Sequence, residues 1–254
     1  MPRRTLPSSD ALPILGEMEI RGASALVTGA GRGIGRAIAK SLGREGAKVA
    51  LVSRTRAELE TVAAEIEAEG GQAFVFAGDL RESEVVTAAV AAAATAHGGL
   101  QILVNNAGVG GFANLADTTD QAWDDILSTN LTSVFRLTRA ALPLLSKAGG
   151  HVFMVSSLAG SNPIAGMAAY CASKAALDQL ATCLMLEVRP LGIKVTTVAP
   201  GSVDTTFGGS PRADTSWMLT PDDVASAIVD LLKARDGAHL SRVEMRPARP
   251  QKRV

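Results

Sequence analysis

Tyr170 and Lys174 stand four residues apart in Ala168–Val188, a stretch whose composition predicts a long helix. That spacing puts both side chains on one helix face, a turn apart. Tyr170 is the only tyrosine in the chain. A free phenol ionises at about pH 10 and is a poor base at neutral pH, but a neighbouring ammonium favours the phenolate. A phenol tuned in this way gives a proton to a developing alkoxide or takes one from an alcohol. Ser157 follows an apolar run, His151–Ser156. It falls at a strand end, where parallel sheets bind their ligands. A surface lysine beside a half-buried tyrosine is the plain alternative; a serine brought to the same place argues for proton transfer.

A second cluster reads Thr28-Gly29-Ala30-Gly31-Arg32-Gly33-Ile34-Gly35. An apolar run of strand length precedes it and a helical pattern follows at once. Glycines let a backbone approach a pyrophosphate, and the helix start presents unpaired N–H groups and a positive dipole end. A mere tight turn is the alternative, and the strand-before, helix-after context argues against it. NAD sites usually carry an acid about 20 residues past the glycines. Here that stretch reads Leu51-Val52-Ser53-Arg54-Thr55-Arg56, with no acid. Ser53 leaves room for a phosphate, and Arg54 offers it a charge-assisted fork. Arg32 adds a second cation. NADP(H) is therefore the expected cofactor, against the reading that both arginines are solvated helix starts.

These groups need elements to position them. Strand-length apolar runs occur at Ser24–Thr28, Lys48–Ser53, Gln72–Ala77, Gln101–Asn105, His151–Ser156, Lys194–Ala199 and Leu240–Met245. Helical stretches separate them: Arg32–Arg44, Arg56–Glu69, Glu82–His97, Gln121–Lys147, Ala168–Val188 and Pro221–Ala234. The last opens on Thr-Pro-Asp-Asp, a cap, a helix-start proline and first-turn acids. Strands apolar on both faces and alternating with helices imply an α/β fold. The expectation is a Rossmann-type, doubly wound parallel sheet of about seven strands with helices on both faces.

No linker or repeat divides the chain. Residues 21–246 are read as one NADP-binding catalytic domain, after a flexible extension, 1–20, and before a basic tail, 247–254. The 25 Lys and Arg balance 25 Asp and Glu. That argues against nucleic acid or an anionic membrane surface as a partner recognised by bulk charge. Hydrophobic residues make up 47% of the 254, enough for a sizeable core. No apolar run nears the ~20 residues of a membrane span. The N-terminus, broken by Pro7 and Pro13, is not a signal peptide pattern. Cys171 and Cys183 lie about 18 Å apart along one helix, too far to bridge. A reducing, cytoplasmic setting fits. His97, His151 and His239 are read as isolated from each other and from both cysteines, and no metal site is expected.

The glycine spacing, Gly29-x3-Gly33-x-Gly35, resembles that of the short-chain dehydrogenases/reductases in their single-domain branch. Four further motifs fall in that family's order: Asn105-Asn106-Ala107-Gly108, Asn130, Ser157 with Tyr170-x3-Lys174, and Pro200-Gly201. The resemblance runs from about Ala23 to the last strand. It implies that Ser157, thirteen before the tyrosine, binds the carbonyl oxygen, while Ser156 is structural. It implies that Lys174 also holds the nicotinamide ribose and that Asn130 anchors a water linking Lys174 to solvent; a buried structural asparagine is the alternative. Cofactor contacts are implied for Gly29, Arg32, Gly33, Ile34, Gly35, Ser53, Arg54, Asp79, Leu80, Asn106, Ala107, Gly108, Tyr170, Lys174, Pro200, Gly201, Val203 and Thr205. For Asp79 a helix cap is the alternative.

Among family members the chain looks most like 3-oxoacyl-(acyl-carrier-protein) reductases, and Arg136 matches an arginine they use to dock the carrier. Yet the stretch before Pro221 is short and a glycine-rich C-terminal motif is missing. A mobile lid at 205–217, with Gly208, Gly209 and Pro211, is expected. Phe207, Trp217 and Met218 line the pocket or make ordinary contacts. The leading expectation is an NADP(H)-dependent reductase of a 3-oxoacyl thioester or small ketone. Dehydration or epimerisation on the same fold, and a catalytically silent NADP-binding regulator or scaffold, are the alternatives. Helices 121–147 and 168–189 resemble those that build the family's tetramer, so a homotetramer is expected.

Overall fold

The computed structural model describes residues 18–207, 214–235 and 237–249. Seven parallel strands form one sheet in the order β3-β2-β1-β4-β5-β6-β7. They are β1 (Ser24–Thr28), β2 (Lys48–Ser53), β3 (Gln72–Ala77), β4 (Ile102–Asn105), β5 (His151–Val155), β6 (Lys194–Pro200) and β7 (Arg242–Met245). Chain order reverses between β1 and β4, which places the switch crevice at their carboxyl ends.

Successive side chains of a strand point to opposite faces, and each face here has its own core. Val27, Leu51, Val104 and Phe153 pack on α1 (Gly33–Arg44), α2 (Arg56–Ala68) and α7 (Pro221–Leu232). Leu26, Val52, Leu103 and Met154 pack on α3 (Ser83–His97), α5 (Ser133–Ala148) and α6 (Ala168–Val188). The continuous apolar runs of the sequence have this double burial as their cause. The Thr-Pro-Asp-Asp start of α7 forms a reciprocal cap, in which Thr220 accepts from the Asp223 N–H and Asp223 accepts from the Thr220 N–H.

Several details depart from the sequence reading. The stretch 121–147 comprises α4 (Asp120–Leu127), a π-helical turn at Ser128–Thr132, and then α5. Ile20, assigned to the flexible extension, is buried in the core, and its carbonyl accepts from the Ala23 N–H. Residues 1–17 of that extension, 208–213 of the expected lid and 250–254 of the basic tail lie outside the described residues. His151 and His239 are not isolated from each other: their ring centroids are 6.4 Å apart. Strand β6 brings them together, because His151 bonds Thr196 and His239 bonds the backbone of Val195. Among the described residues no group of three or more His, Cys, Asp and Glu side chains forms a metal-binding set.

Candidate active site

The strand ends open into one cleft of about 840 Å³. Every site residue picked out from the sequence lines it except Gly35 and Asn130.

At one end the glycine turn leaves β1. Gly29 and Gly33 have φ of +64° and +54°, left-handed values that favour glycine. Gly35 is glycine for a different reason: a Cβ there would lie 2.2 Å from the Gly29 carbonyl oxygen. Arg32 precedes α1 without a side-chain cap. The first N–H groups of that helix therefore face the cleft available to an anion. Thr28 Oγ1 accepts from the N–H groups of Asn106 and Ala107 at 2.9 and 3.0 Å. Asn106 Nδ2 donates to the Thr28 carbonyl at 2.9 Å. The Asn106 side chain thus ties β4 to β1 and fixes the floor of the crevice.

Ser53 Oγ, at the end of β2, is buried and has no hydrogen-bond partner. Arg54 and Arg32 beside it make no ion pair with any described residue. Asp79 is held by Arg81, which donates from Nη2 at 2.7 Å and from its backbone N–H at 3.0 Å. That pairing keeps the Asp79 carboxyl below its usual range. Asp79 therefore closes a local turn and does not cap α3, whose preceding residue is Glu82.

At the other end stand the proton-transfer residues. Ser157 Oγ accepts from the Ala159 N–H at 3.1 Å, opening a short turn, Leu158–Gly160. Tyr170 and Lys174 are both buried on α6. Lys174 Nζ lies 5.8 Å from the Tyr170 ring centroid and donates to the Val155 carbonyl at 2.9 Å. Burial pushes the Lys174 ammonium down to about 8. Burial also raises Tyr170, while the nearby Ser157 hydroxyl acts to lower it. The downward shift expected from the ammonium is not what sets the direction here: burial of the phenol dominates.

Asn130 is fully buried on the π turn. Its Oδ1 accepts from the Val109 N–H at 2.8 Å, and its Nδ2 donates to the Val109 carbonyl at 2.9 Å and to Ser173 Oγ at 3.0 Å. Gly108 sits between Asn130 and Lys174; a Cβ there would lie 3.3 Å from Asn130 Oδ1 and 3.7 Å from Lys174 Nζ.

Apolar side chains wall this end: Phe112, Ile164, Met167 and Phe207. Trp217 and Met218 do not join them and line a separate groove beside α7. Arg136 donates to the Arg81 carbonyl at 2.8 Å. Sequence reasoning set Ser156 aside as structural, and its buried Oγ has no partner; it passed over Glu58, which lies against Gly31. A first-turn acid on the helix after β2 is the sequence signal for Glu58.

A family described as short chain dehydrogenase matches residues 23–216. The "Probable oxidoreductase EphD" of Mycobacterium bovis is 36% identical over 231 residues, covering 82% of this chain. The chain spans only about 39% of the length of that relative. The 2-(S)-hydroxypropyl-CoM dehydrogenase 3 of Xanthobacter autotrophicus is 36% identical over 81% of this chain and 88% of its own. The crystal structure of a metagenomic short-chain oxidoreductase in complex with NADP superposes with a TM-score of 0.81. It is 39% identical and covers 92% of this chain and 100% of its own.

Proposed function

The chain belongs to the short-chain dehydrogenase/reductase family, and from that premise we propose an NADP(H)-dependent oxidoreductase acting on a carbonyl or secondary alcohol, with Tyr170 as general acid/base. The observation that carries this reading is the meeting of Ser157, Tyr170 and Lys174 in the cleft that the glycine turn opens. The residues at the far end fit the dinucleotide. Glycine backbone and the start of α1 suit a pyrophosphate. The orphaned Ser53 hydroxyl, with Arg54 and Arg32 making no ion pair among the described residues, suits a ribose carrying a 2′-phosphate. The NADP bound to the metagenomic relative supports the same choice. When bound, the nicotinamide supplies or accepts the hydride.

The chain's own residues manage the proton. In the reducing direction Ser157 donates a hydrogen bond to the carbonyl oxygen and stabilises the charge that develops there. Tyr170 gives its phenolic proton to that oxygen. Lys174 stabilises the phenolate left behind and holds the nicotinamide ribose. Asn130, whose side chain bonds Val109 and Ser173, is proposed to anchor a water linking Lys174 to solvent.

A 3-oxoacyl thioester and a small ketone are the two substrate classes proposed. The secondary alcohol in the name of the Xanthobacter relative supports the ketone. We place the enzyme in the cytoplasm as a homotetramer; the exposed Trp123 and Phe135 on α4 and α5 supply apolar surface for assembly. The test is NADPH oxidation by the purified protein with a panel of ketones that includes an acetoacetyl thioester. Saturable turnover of at least one member is the expected result. NADPH binding with no turnover of any member would instead favour a silent binding protein.

A further inference from the structure

Lys174 is a buried cation without an ion pair among the described residues; its hydrogen bond goes to the neutral Val155 carbonyl. A buried charge is costly unless an opposite charge compensates it. From neighbouring elements Gly108 approaches Lys174, with a would-be Cβ 3.7 Å from Nζ, and the Val155 carbonyl accepts from it; neither is charged. Its own helix supplies Tyr170 one turn before and Asp178 one turn after. Among the described residues Asp178 is the acid one turn from Lys174 on the same helix face, and its charge opposes the effect of burial.

The fold shelters Asp178. Its side chain is only 14% exposed, and its Oδ1 is buried with no hydrogen-bond partner. Its Oδ2 pairs with Arg242 Nη1 of β7 at 2.8 Å. Gly160 lies across the helix edge here: a Cβ would stand 2.6 Å from Asp178 Oδ2 and 3.2 Å from the Lys174 carbonyl oxygen. Glycine therefore lets the turn after Ser157 pack directly against the carboxylate. Arg242 also reaches Glu244 Oε1 at 3.4 Å, and Glu244 pairs with Arg246 at 3.0 Å. Arg242 is thus shared between two acids, Asp178 and Glu244.

We propose that Asp178 is a positioning residue that keeps Lys174 in its ammonium form, and that Arg242 sets how much of the Asp178 charge Lys174 feels. Its bearing on turnover rests on the role proposed above for Tyr170 and Lys174. Removing Asp178 leaves the amine easier to deprotonate. Removing Arg242 unmasks Asp178 and takes away a competing cation, so the amine is harder to deprotonate. A merely structural pair would not move Lys174 in opposite directions.

The direct test is an NMR titration of the full chain labelled with 13C at lysine Cε, with the Lys174 signal assigned by its loss in Lys174→Met. The Lys174 midpoint should fall by about half a pH unit or more in Asp178→Asn and rise in Arg242→Met. Asp178→Glu should hold it near the wild-type value. Should Asp178→Asn fail to fold, Arg242→Met on the exposed strand carries the test with the same expected rise. Midpoints that stay put in both variants, or that shift the same way, overturn the inference. The alkaline limb of kcat/KM should follow the NMR midpoint across the set. Midpoints that move as stated while one alkaline limb serves every variant would uphold the Asp178 inference and refute the catalytic role of Lys174.

Discussion

The ring of Phe207 lies 5.5 Å from that of Tyr170, tilted by 54°. It occupies the space over Gly110, where a Cβ would meet Phe207 Cζ at 2.7 Å and Tyr170 Cδ2 at 3.2 Å. Phe207 is still 41% exposed, so it closes the apolar end of the cleft loosely. Phe207→Ala should weaken binding of an aryl ketone more than it slows chemistry, because a ring contact is uniform between ground and transition states. KM should rise about 5- to 30-fold, equivalent to roughly 1–2 kcal/mol of lost apolar contact, with kcat changed less. Michaelis curves for aryl and short alkyl ketones check this. Equal KM values for the two proteins would show that the ring stands clear of substrate.

Cofactor choice turns on the end of β2. Replacing Ser53 by Asp and Arg54 by Gln should move preference from NADPH towards NADH. A carboxylate at 53 repels a 2′-phosphate and accepts from a 2′-hydroxyl. The lost charge-assisted bond costs about 1.5–3 kcal/mol, roughly ten- to over a hundredfold in NADPH affinity. Arg32 remains, so some NADPH use should persist. The dissociation constants of both cofactors, before and after the double change, are the measurement. A wild type that binds NADH more tightly from the outset would refute the cofactor assignment.

Acid stability should carry the mark of His151. Burial, with the nearby His239 and Lys194 adding to it, pushes His151 down to about 3. The unfolded chain then binds one more proton than the folded one between about 3 and the ordinary histidine value of about 6.5. Stability rises with pH wherever the unfolded state holds more protons, so it is lost as pH falls through this window. The slope from this residue is about 1.4 kcal/mol per pH unit. Urea unfolding from pH 7 to 4 should show a shallower decline in His151→Gln than in the wild type. Parallel declines would mean that His151 protonates freely in the folded protein.

Most of this architecture is legible in the sequence because burial on both faces of a parallel sheet leaves uninterrupted apolar runs. Ser24–Thr28 and Lys48–Ser53 coincide with β1 and β2 to the residue. The site is legible where chemistry fixes spacing along the chain, as with Tyr170 and Lys174 on one helix face. It is not legible where contacts join distant residues. Nothing in the sequence shows that Arg242 reaches back to Asp178, or that Phe207 settles over Gly110. The encounter of His151 with His239 depends on β6 lying between β5 and β7. The sign of the Tyr170 shift is hidden for the same reason: a spacing of four reveals the neighbouring ammonium but not the depth of burial that sets the direction.

The central claim is that Tyr170 supplies the proton, and Tyr170→Phe tests it most directly. The ring still packs against Phe207 while the donor is gone. The variant should bind NADPH with an affinity close to that of the wild type, read by the fluorescence of the bound cofactor. Its kcat for the best ketone should fall by about 10²–10⁴-fold or more. Turnover within a few-fold of the wild type, a barrier change of roughly 1 kcal/mol or less, would contradict the account.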